Sequence, residues 1–389
     1  MIIVTVMAKK AAVEVKNLTK RFVSGGGSVV DAVKNLSFEV PEGELFTLLG
    51  PSGCGKTTTL RALAGFEDVT DGQIKLHGNI VSTGDLNVPP ERRGIGFVFQ
   101  SYAVWPHMTA RENILYALKN QGYKKDRRED RVQEALSLVG LAGGNVEDRY
   151  PSELSGGQQQ RVAFARAISY EPKLLLMDEP LSNLDFQLRK RMRQSILDIL
   201  EEIKVTTVYV THDQEEAFEI SDDICVMKDG VKMQQGTPEQ LYESPTSPFV
   251  ANFIGEANVY NAEIESKTKS SVSVNITKGT QKLQMICRHA GDTNLDNPVV
   301  VVRPERIAIE VAKKEAKGTV QKYNKTSEVN QYQGKITHRI FRGASVYYDI
   351  LIGDTTIQSR SIQSDLNIGQ IVDINIAKSD ALVVQGATN

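Results

Sequence analysis

A lysine, two threonines and a set of glycines at fixed spacing are the first residues here that could do chemistry. Gly50-Pro51-Ser52-Gly53-Cys54-Gly55-Lys56-Thr57, followed by Thr58, fits the pattern G-x-x-x-x-G-K-[ST]. Phosphates are anions, and a helix start offers them unpaired N–H groups and the positive end of a dipole. Gly53 and Gly55 let the backbone wrap a phosphate chain where a side chain would clash or forbid the turn. Lys56 supplies positive charge to the outer phosphates, and Thr57 a hydroxyl to a magnesium ion. Such a loop implies a bound nucleoside triphosphate and says nothing about its use. The competing reading is a glycine-rich turn without chemistry.

Three further candidates end apolar runs. Ile95–Phe99 stops on Gln100, Leu174–Met177 on Asp178-Glu179, and Val205–Val210 on Thr211-His212. In open α/β sheets ligands collect at the carboxyl ends of the strands. An aspartate there can hold magnesium through water, and the glutamate beside it can orient or deprotonate an attacking water. His212 at the same edge is suited to contact a terminal phosphate. Leu154-Ser155-Gly156-Gly157-Gln158 precedes a helix predicted from Gln159 to about Ser169, with Ser155 as its cap. It is a second glycine-rich helix start and a second place for anions. One site does not need two, so two copies of the chain are expected to cooperate.

The elements that must position these residues follow from the pattern. Glu44–Leu49 reads as a buried strand before the phosphate loop, and Thr57–Ala64 as the helix after it. That is the context the loop requires. Val13–Val15 and Leu36–Val40 alternate like half-buried strands. The segment between them, with the flexible run Ser24–Ser28, carries Phe22, which is either core or an exposed ring for an adenine. Gln73–Leu76 with Ile80–Val81, and Ile224–Met227 with Val231–Met233 across Asp229-Gly230, read as hairpins. From Thr109 to about Tyr150 the apolar spacing turns helical, and the mixed charges of Lys124–Arg131 suit a solvated face.

Past Thr237-Pro238, a cap and first-turn proline, and beyond about Ala257, the texture changes. Short alternating runs, Ser271–Val274, Val299–Val302 and Ser345–Ile352, predict a small antiparallel domain, a partly open barrel. Lys313 through Asn330 reads as a polar loop. The division expected is a cassette over 1–240, with a helical part about 101–160, and a β domain over 241–389.

Bulk properties set the remaining bounds. A chain of 389 residues is too long for one ordinary domain. With 40% apolar and 24% charged residues it is globular, and a net charge of −2 leaves no nucleic-acid footprint. Cys54, Cys225 and Cys287 are too few and too scattered for a disulfide framework or a zinc site, which suits a reducing compartment. No apolar run approaches the roughly 18 residues of a membrane span. Met1–Val6 is too short for a signal peptide and reads as an edge strand, a loose terminus or an extension upstream of a start at Met7.

Taken in order, these motifs resemble those of the ATP-binding-cassette transporter ATPases, in particular the nucleotide-binding subunits of solute importers. The match runs closely over about 11–240, and Leu154–Gln158 is its discriminating part. The resemblance implies an α/β phosphate-loop ATPase cassette with a helical subdomain. It implies two cassettes, identical or different, facing head to tail, with Mg2+ and ATP between Gly50–Thr58 of one and Leu154–Gln158 of the other. In that arrangement Phe22 stacks on adenine, Glu179 polarises water and His212 holds the γ-phosphate. Thr57, Gln100 and Asp178 serve the metal, and Asp185, in Ser182-Asn183-Leu184-Asp185, communicates across the dimer. Gln100 and Ser101–Met108 would couple the site to an integral membrane permease, with Trp105 as a docking residue or, alternatively, as packing within the helical part. The C-terminal part resembles the all-β, oligonucleotide-binding-like accessory domain of sugar, polyamine and ferric-ion importers, with Val302-Arg303-Pro304-Glu305 its clearest fragment. A peripheral location on the cytoplasmic membrane face follows, with a solute-binding protein as an indirect partner and no nucleic acid bound. The alternative is a soluble cassette ATPase acting on nucleic acid or ribosomes. Such relatives usually carry two cassettes or a coiled-coil insertion.

Overall fold

Two packing problems are solved side by side in the first part of the chain. The structure is a computed structural model describing residues 10–386 except 24, 26, 144, 269–270, 279–280, 290–294, 313–320, 323–327 and 363–364. The Met1–Val6 run lies outside the described residues, as do two members of the Ser24–Ser28 loop. Contacts divide the chain into two compact units, one ending at Pro238 and the other beginning at Glu239.

In the first unit, Leu45–Leu49, Ile95–Val98, Leu174–Asp178, Thr206–Thr211 and Asp223–Lys228 form the parallel body of a six-stranded sheet. Val231–Gly236 adds one antiparallel edge. Leu45–Leu49, Leu174–Asp178 and Thr206–Thr211 are buried at every position, as expected of strands covered on both faces. One core cluster lies between this sheet and a four-stranded antiparallel sheet made of Val29–Pro41, Ala11–Val23, Asp71–Leu76 and Asn79–Ser82. It includes Leu48, Leu60, Leu63, Leu176 and Val210. The other joins the sheet to the helices Ala110–Asn120, Arg128–Leu138, Gly156–Ile168 and Phe186–Ile203, through Ile114, Leu136, Phe164, Met177 and Ile196. The helices Ala110–Asn120 and Arg128–Leu138 of the expected insertion, and Gly156–Ile168 after them, lie, in sequence, between neighbouring strands Ile95–Val98 and Leu174–Asp178.

Several expectations need correction here. Phe22 is not in a loop. The first strand runs on to Val23, and Phe22 pairs with Val30 on an extended hairpin, 41% exposed rather than core. The strand before Gln100 ends at Val98, two residues short of it. The helix of the second glycine-rich start begins at Gly156, because the Ser155–Gln158 capping box fixes its first turn three residues earlier than periodicity alone shows.

The second unit is not a single partly open barrel. Asn258–Lys267, Val272–Lys278, Gln281–His289, Ala381–Gln385 and Pro298–Val302 close completely, because the final strand returns to pair with two earlier ones. Between Val302 and Ala381 a separate six-stranded sheet is inserted, containing Val346–Ile352. Within the supposed polar loop, Gln321–Lys322 and Val329–Asn330 are strand; the other described residue, Glu328, is a bend, and the rest lies outside the described residues. Val302–Glu305 is a structural clasp. The buried Arg303 guanidinium donates to the carbonyls of Ala251 (2.6 Å), Glu256 (3.1 Å) and Tyr242 (3.2 Å), and lies over the Tyr242 ring. It ties the short helices Pro238–Glu243 and Pro248–Phe253 to the β unit.

Candidate functional site

The chain leaves Leu45–Leu49 and turns tightly into the helix Lys56–Ala64. Gly55 is the N-cap with φ 101°, and an added Cβ would strike the Ala32 carbonyl. At Gly50 a Cβ would strike the Met227 carbonyl. No side chain caps this helix, so its first N–H groups are left to an anion. Lys56 is almost fully buried. Its ammonium donates to the carbonyls of Gly50 (2.7 Å) and Pro51 (3.0 Å) and weakly to Cys54 Sγ (4.0 Å), which aims it along the loop. Cys54 packs beneath the loop; burial pushes its thiol up, so it stays a neutral spacer.

The Thr57 hydroxyl donates to Asp178 Oδ1 at 2.9 Å. Burial raises the Asp178 carboxyl above its ordinary value, opposed first by that hydrogen bond. Beside it, Glu179 sits at φ 43°, a left-handed conformation that costs a non-glycine residue energy. The Glu179 N–H donates to the Val210 carbonyl at 3.0 Å, and the Ser182 hydroxyl donates to the Glu179 carbonyl at 2.9 Å. Glu179 Oε2 meets His212 Nδ1 at 3.1 Å and accepts from Gln100 Nε2 at 3.5 Å. Two residues that follow other strands, His212 and Gln100, therefore converge on one oxygen of Glu179. His212 is half exposed, and Gln100 is exposed.

Leu154–Gln158 stands apart. Ser155 Oγ accepts from the Gln158 N–H (3.4 Å) while Gln158 Oε1 accepts from the Ser155 N–H (3.0 Å). Ser155 and Gly156 are exposed, and Leu154 is anchored in the helical core, whereas Cys54 of the phosphate loop belongs to the other core. Among the described residues no hydrogen bond joins Leu154–Gln158 to Gly50–Thr58. Asp185 is exposed and caps the helix Phe186–Ile203, accepting from the Leu188 N–H at 3.0 Å.

After Gln100 the chain holds two successive left-handed residues, Tyr102 and Ala103. Their carbonyls accept from the buried Arg166 of the helix Gly156–Ile168, at 3.0 and 2.6 Å. Trp105 lies against that guanidinium and edge-on to Tyr116, half-buried at an open cavity of about 330 Å³ lined also by Phe66, Phe97, Phe99 and Tyr170. It is neither interior packing nor free.

Sequence reasoning quoted Asn183 only as part of the loop Ser182–Asp185, without a role, and missed Arg166 and Arg189. Asn183 donates to the Gln100 carbonyl at 2.8 Å. A polar residue in a loop and arginines on charged helices carry no spacing signal that would single them out.

The class of protein defined by this fold and site is a phosphate-loop ATPase cassette with a C-terminal all-β unit. The ABC transporter family profile matches residues 33–182, and the TOBE domain profile matches 300–384. The Fe(3+) ions import ATP-binding protein FbpC of Brucella abortus (strain 2308) is 40% identical over 368 residues, 92% of this chain and 96% of that protein. FbpC 1 of Pectobacterium atrosepticum is 47% identical over 307 residues, 79% of this chain and 81% of that protein. The solved dimer of the ATP-binding cassette MJ0796, in a post-hydrolysis state bound to ADP and Pi, covers 58% of this chain and 98% of its own at 33% identity and a TM-score of 0.52. The chain belongs to the ATP-binding subunits of the ABC transporter family, and it is an ATP-binding ATPase.

Proposed function

We propose that this chain powers the import of ferric ion through a membrane permease, hydrolysing ATP at two sites shared between head-to-tail cassettes. The observation that carries the catalytic reading is the convergence of Gln100 and His212 on Glu179 Oε2, next to Thr57–Asp178. ATP lies with its phosphates on the Gly50–Thr58 N–H groups and on Lys56, and its adenine on the exposed Phe22 ring. Lys20 already lies over one face of that ring at 4.9 Å, leaving the other for the base. Thr57 and Asp178, 2.9 Å apart, are hard oxygen donors that suit magnesium, with the Gln100 amide oxygen as a further ligand, and the ion would neutralise charge on the phosphate oxygens. Glu179 orients water and accepts its proton as the water oxygen bonds to the γ-phosphorus and ADP departs. His212 holds the γ-phosphate and the Glu179 carboxylate in one geometry.

Leu154–Gln158 of a second cassette covers the γ-phosphate, and Asp185 lies at the junction. The dimeric form of the related MJ0796 cassette supports this reading. Trp105 and the aromatic cavity around it receive the permease. No helix among the described residues is long and apolar enough to cross a membrane, and a peripheral place on the cytoplasmic face is part of the proposal. Ferric ion is favoured over sugar or polyamine by the names of the relatives.

Two measurements test this. Glu179→Gln is expected to retain ATP binding, lower hydrolysis by about 10²–10⁴ and accumulate an ATP-bound dimer; parent-rate turnover would remove Glu179 from the mechanism. Cells lacking the gene are expected to lose labelled ferric-ion uptake but not sugar or polyamine uptake, and the opposite pattern would refute the solute.

A further inference from the structure

The loop Ser182–Asp185 bonds directly to two members of the catalytic cluster and is linked to the third through Arg189. Ser182 Oγ donates to the Glu179 carbonyl (2.9 Å), and Asn183 Nδ2 to the Gln100 carbonyl (2.8 Å). The third link is indirect. Arg189, on the first turn of the helix that Asp185 caps, sends Nη2 back to the Leu184 carbonyl (3.2 Å) and Nη1 across to Asp213 Oδ2 (3.3 Å). Asp213 is the neighbour of His212 and the N-cap of the helix Gln214–Ile220, accepting from the Glu216 N–H at 3.1 Å.

The other side of His212 is pinned as well. Thr211 Oγ1 donates to the buried Glu216 carboxylate and accepts from the Asp213 N–H at 3.0 Å, while the Tyr209 hydroxyl donates to Glu216 Oε1 at 2.6 Å. His212 thus stands on a short turn with both flanks fixed. The one charged link from that turn to Ser182–Asp185 among the described residues is Arg189. One turn further along the same helix, Arg193 pairs with Glu219 (3.1 Å) and Glu215 (3.8 Å), and contacts neither the loop nor the His212 turn.

We propose that Arg189 is a positioning residue that fixes the His212 turn to the Ser182–Asp185 loop, so that a displacement of the loop reaches the His212–Glu179 contact. This rests on the catalytic reading of Glu179 and His212 above. The planar guanidinium satisfies a carbonyl and a carboxylate in one fixed fork, which a lysine ammonium on a narrower head cannot reproduce.

The test uses the full chain with Mg-ATP under single-turnover conditions. Arg189→Gln is expected to lower the hydrolysis rate about tenfold while the ATP dissociation constant stays within about twofold. Arg189→Lys should fall in between. Asp213→Asn keeps a capping side chain but loses the charge, and should resemble Arg189→Gln; it decides the matter if Arg189→Gln does not fold. Arg193→Gln, which disturbs the same helix pair, should stay within about twofold of the parent rate. In a His212→Ala background Arg189→Gln should cost less than about twofold more, since its effect passes through His212.

Parent rates in both Arg189→Gln and Asp213→Asn would overturn the proposal. So would an equal loss in Arg193→Gln, or a full further loss on His212→Ala. A parent-rate Glu179→Gln would instead sink the underlying catalytic reading, whatever the Arg189 variants do.

Discussion

The two glycine-rich helix starts of this chain look alike in sequence and are built oppositely. Lys56–Ala64 begins on Gly55 with no side-chain cap, whereas Gly156–Ile168 begins on Ser155 with a reciprocal capping box to Gln158. The first leaves its N–H groups and a buried lysine for an anion. The second has settled part of its own hydrogen bonding and presents an exposed serine and glycine as a preformed surface. The difference separates an uncapped helix start with a buried lysine from a capped, exposed surface, the one proposed above to act on a second copy. The two also rest on different cores, on opposite faces of the same sheet.

The largest expected effect is at the cradle. Lys56→Ala should weaken ATP binding at least about a hundredfold, since it removes a buried charge facing the phosphates; unchanged binding in a nucleotide titration would break the comparison. Next, Ser155→Arg should cut hydrolysis about a hundredfold or more while each chain still binds ATP, because a long charged side chain blocks the face proposed to act in trans. A matching loss of binding would mean that the two starts serve one site within one chain.

The far end of the first helix sharpens the contrast. Arg93 is buried and donates to the carbonyls of Ala62 (2.8 Å), Leu63 (2.7 Å) and Val88 (2.6 Å); burial lowers its pKa to about 10, so it remains charged at neutral pH. Arg93→Met should destabilise the chain by about 3 kcal/mol in urea unfolding, because those carbonyls lose their donor. A change below about 0.5 kcal/mol would show that they find other partners.

The smallest effect concerns Glu216. Burial raises its carboxyl above the ordinary value of 4.5, with the Thr211 and Tyr209 hydroxyls opposing the shift. The folded chain therefore binds this proton more tightly than the unfolded chain, and the stabilisation is complete below 4.5 and is lost as pH rises through the raised value. Glu216→Gln cannot ionise, so its stability relative to the parent should improve from pH 4 to pH 7. An unchanged difference would place the carboxyl at its ordinary value.

Much of the cassette was legible because its signals are local. Leu45–Leu49, Leu174–Asp178 and Thr206–Thr211 are continuous apolar runs, and the sheet buries them on both faces. Leu174–Asp178 ends on Asp178 beside Glu179, and Thr206–Thr211 ends beside His212, so these candidates could be read from the sequence, as could Gln100 two residues after Ile95–Val98. The accessory part was less legible. The barrel closes only because Ala381–Gln385 returns to Gln281–His289 and Pro298–Val302 across an inserted sheet, and alternation along one strand does not encode its distant partner. Phe22 was placed in a loop because glycines follow it, whereas pairing with Val30 extends the hairpin beyond the run of obvious alternation.

What the order of residues determined by itself was the set of groups able to handle a phosphate and where each meets its own strand or helix. Turn geometry and apolar runs act over a few neighbours, and those neighbours are adjacent in the chain. What the tertiary structure alone decided was which of these groups meet. Glu179 receives Gln100 and His212 from strands far away in sequence, Thr57 reaches Asp178, and Arg189 bridges Leu184 to Asp213. Those pairings depend on strand order and helix packing, which side chains settle together across the whole cassette and no single stretch carries.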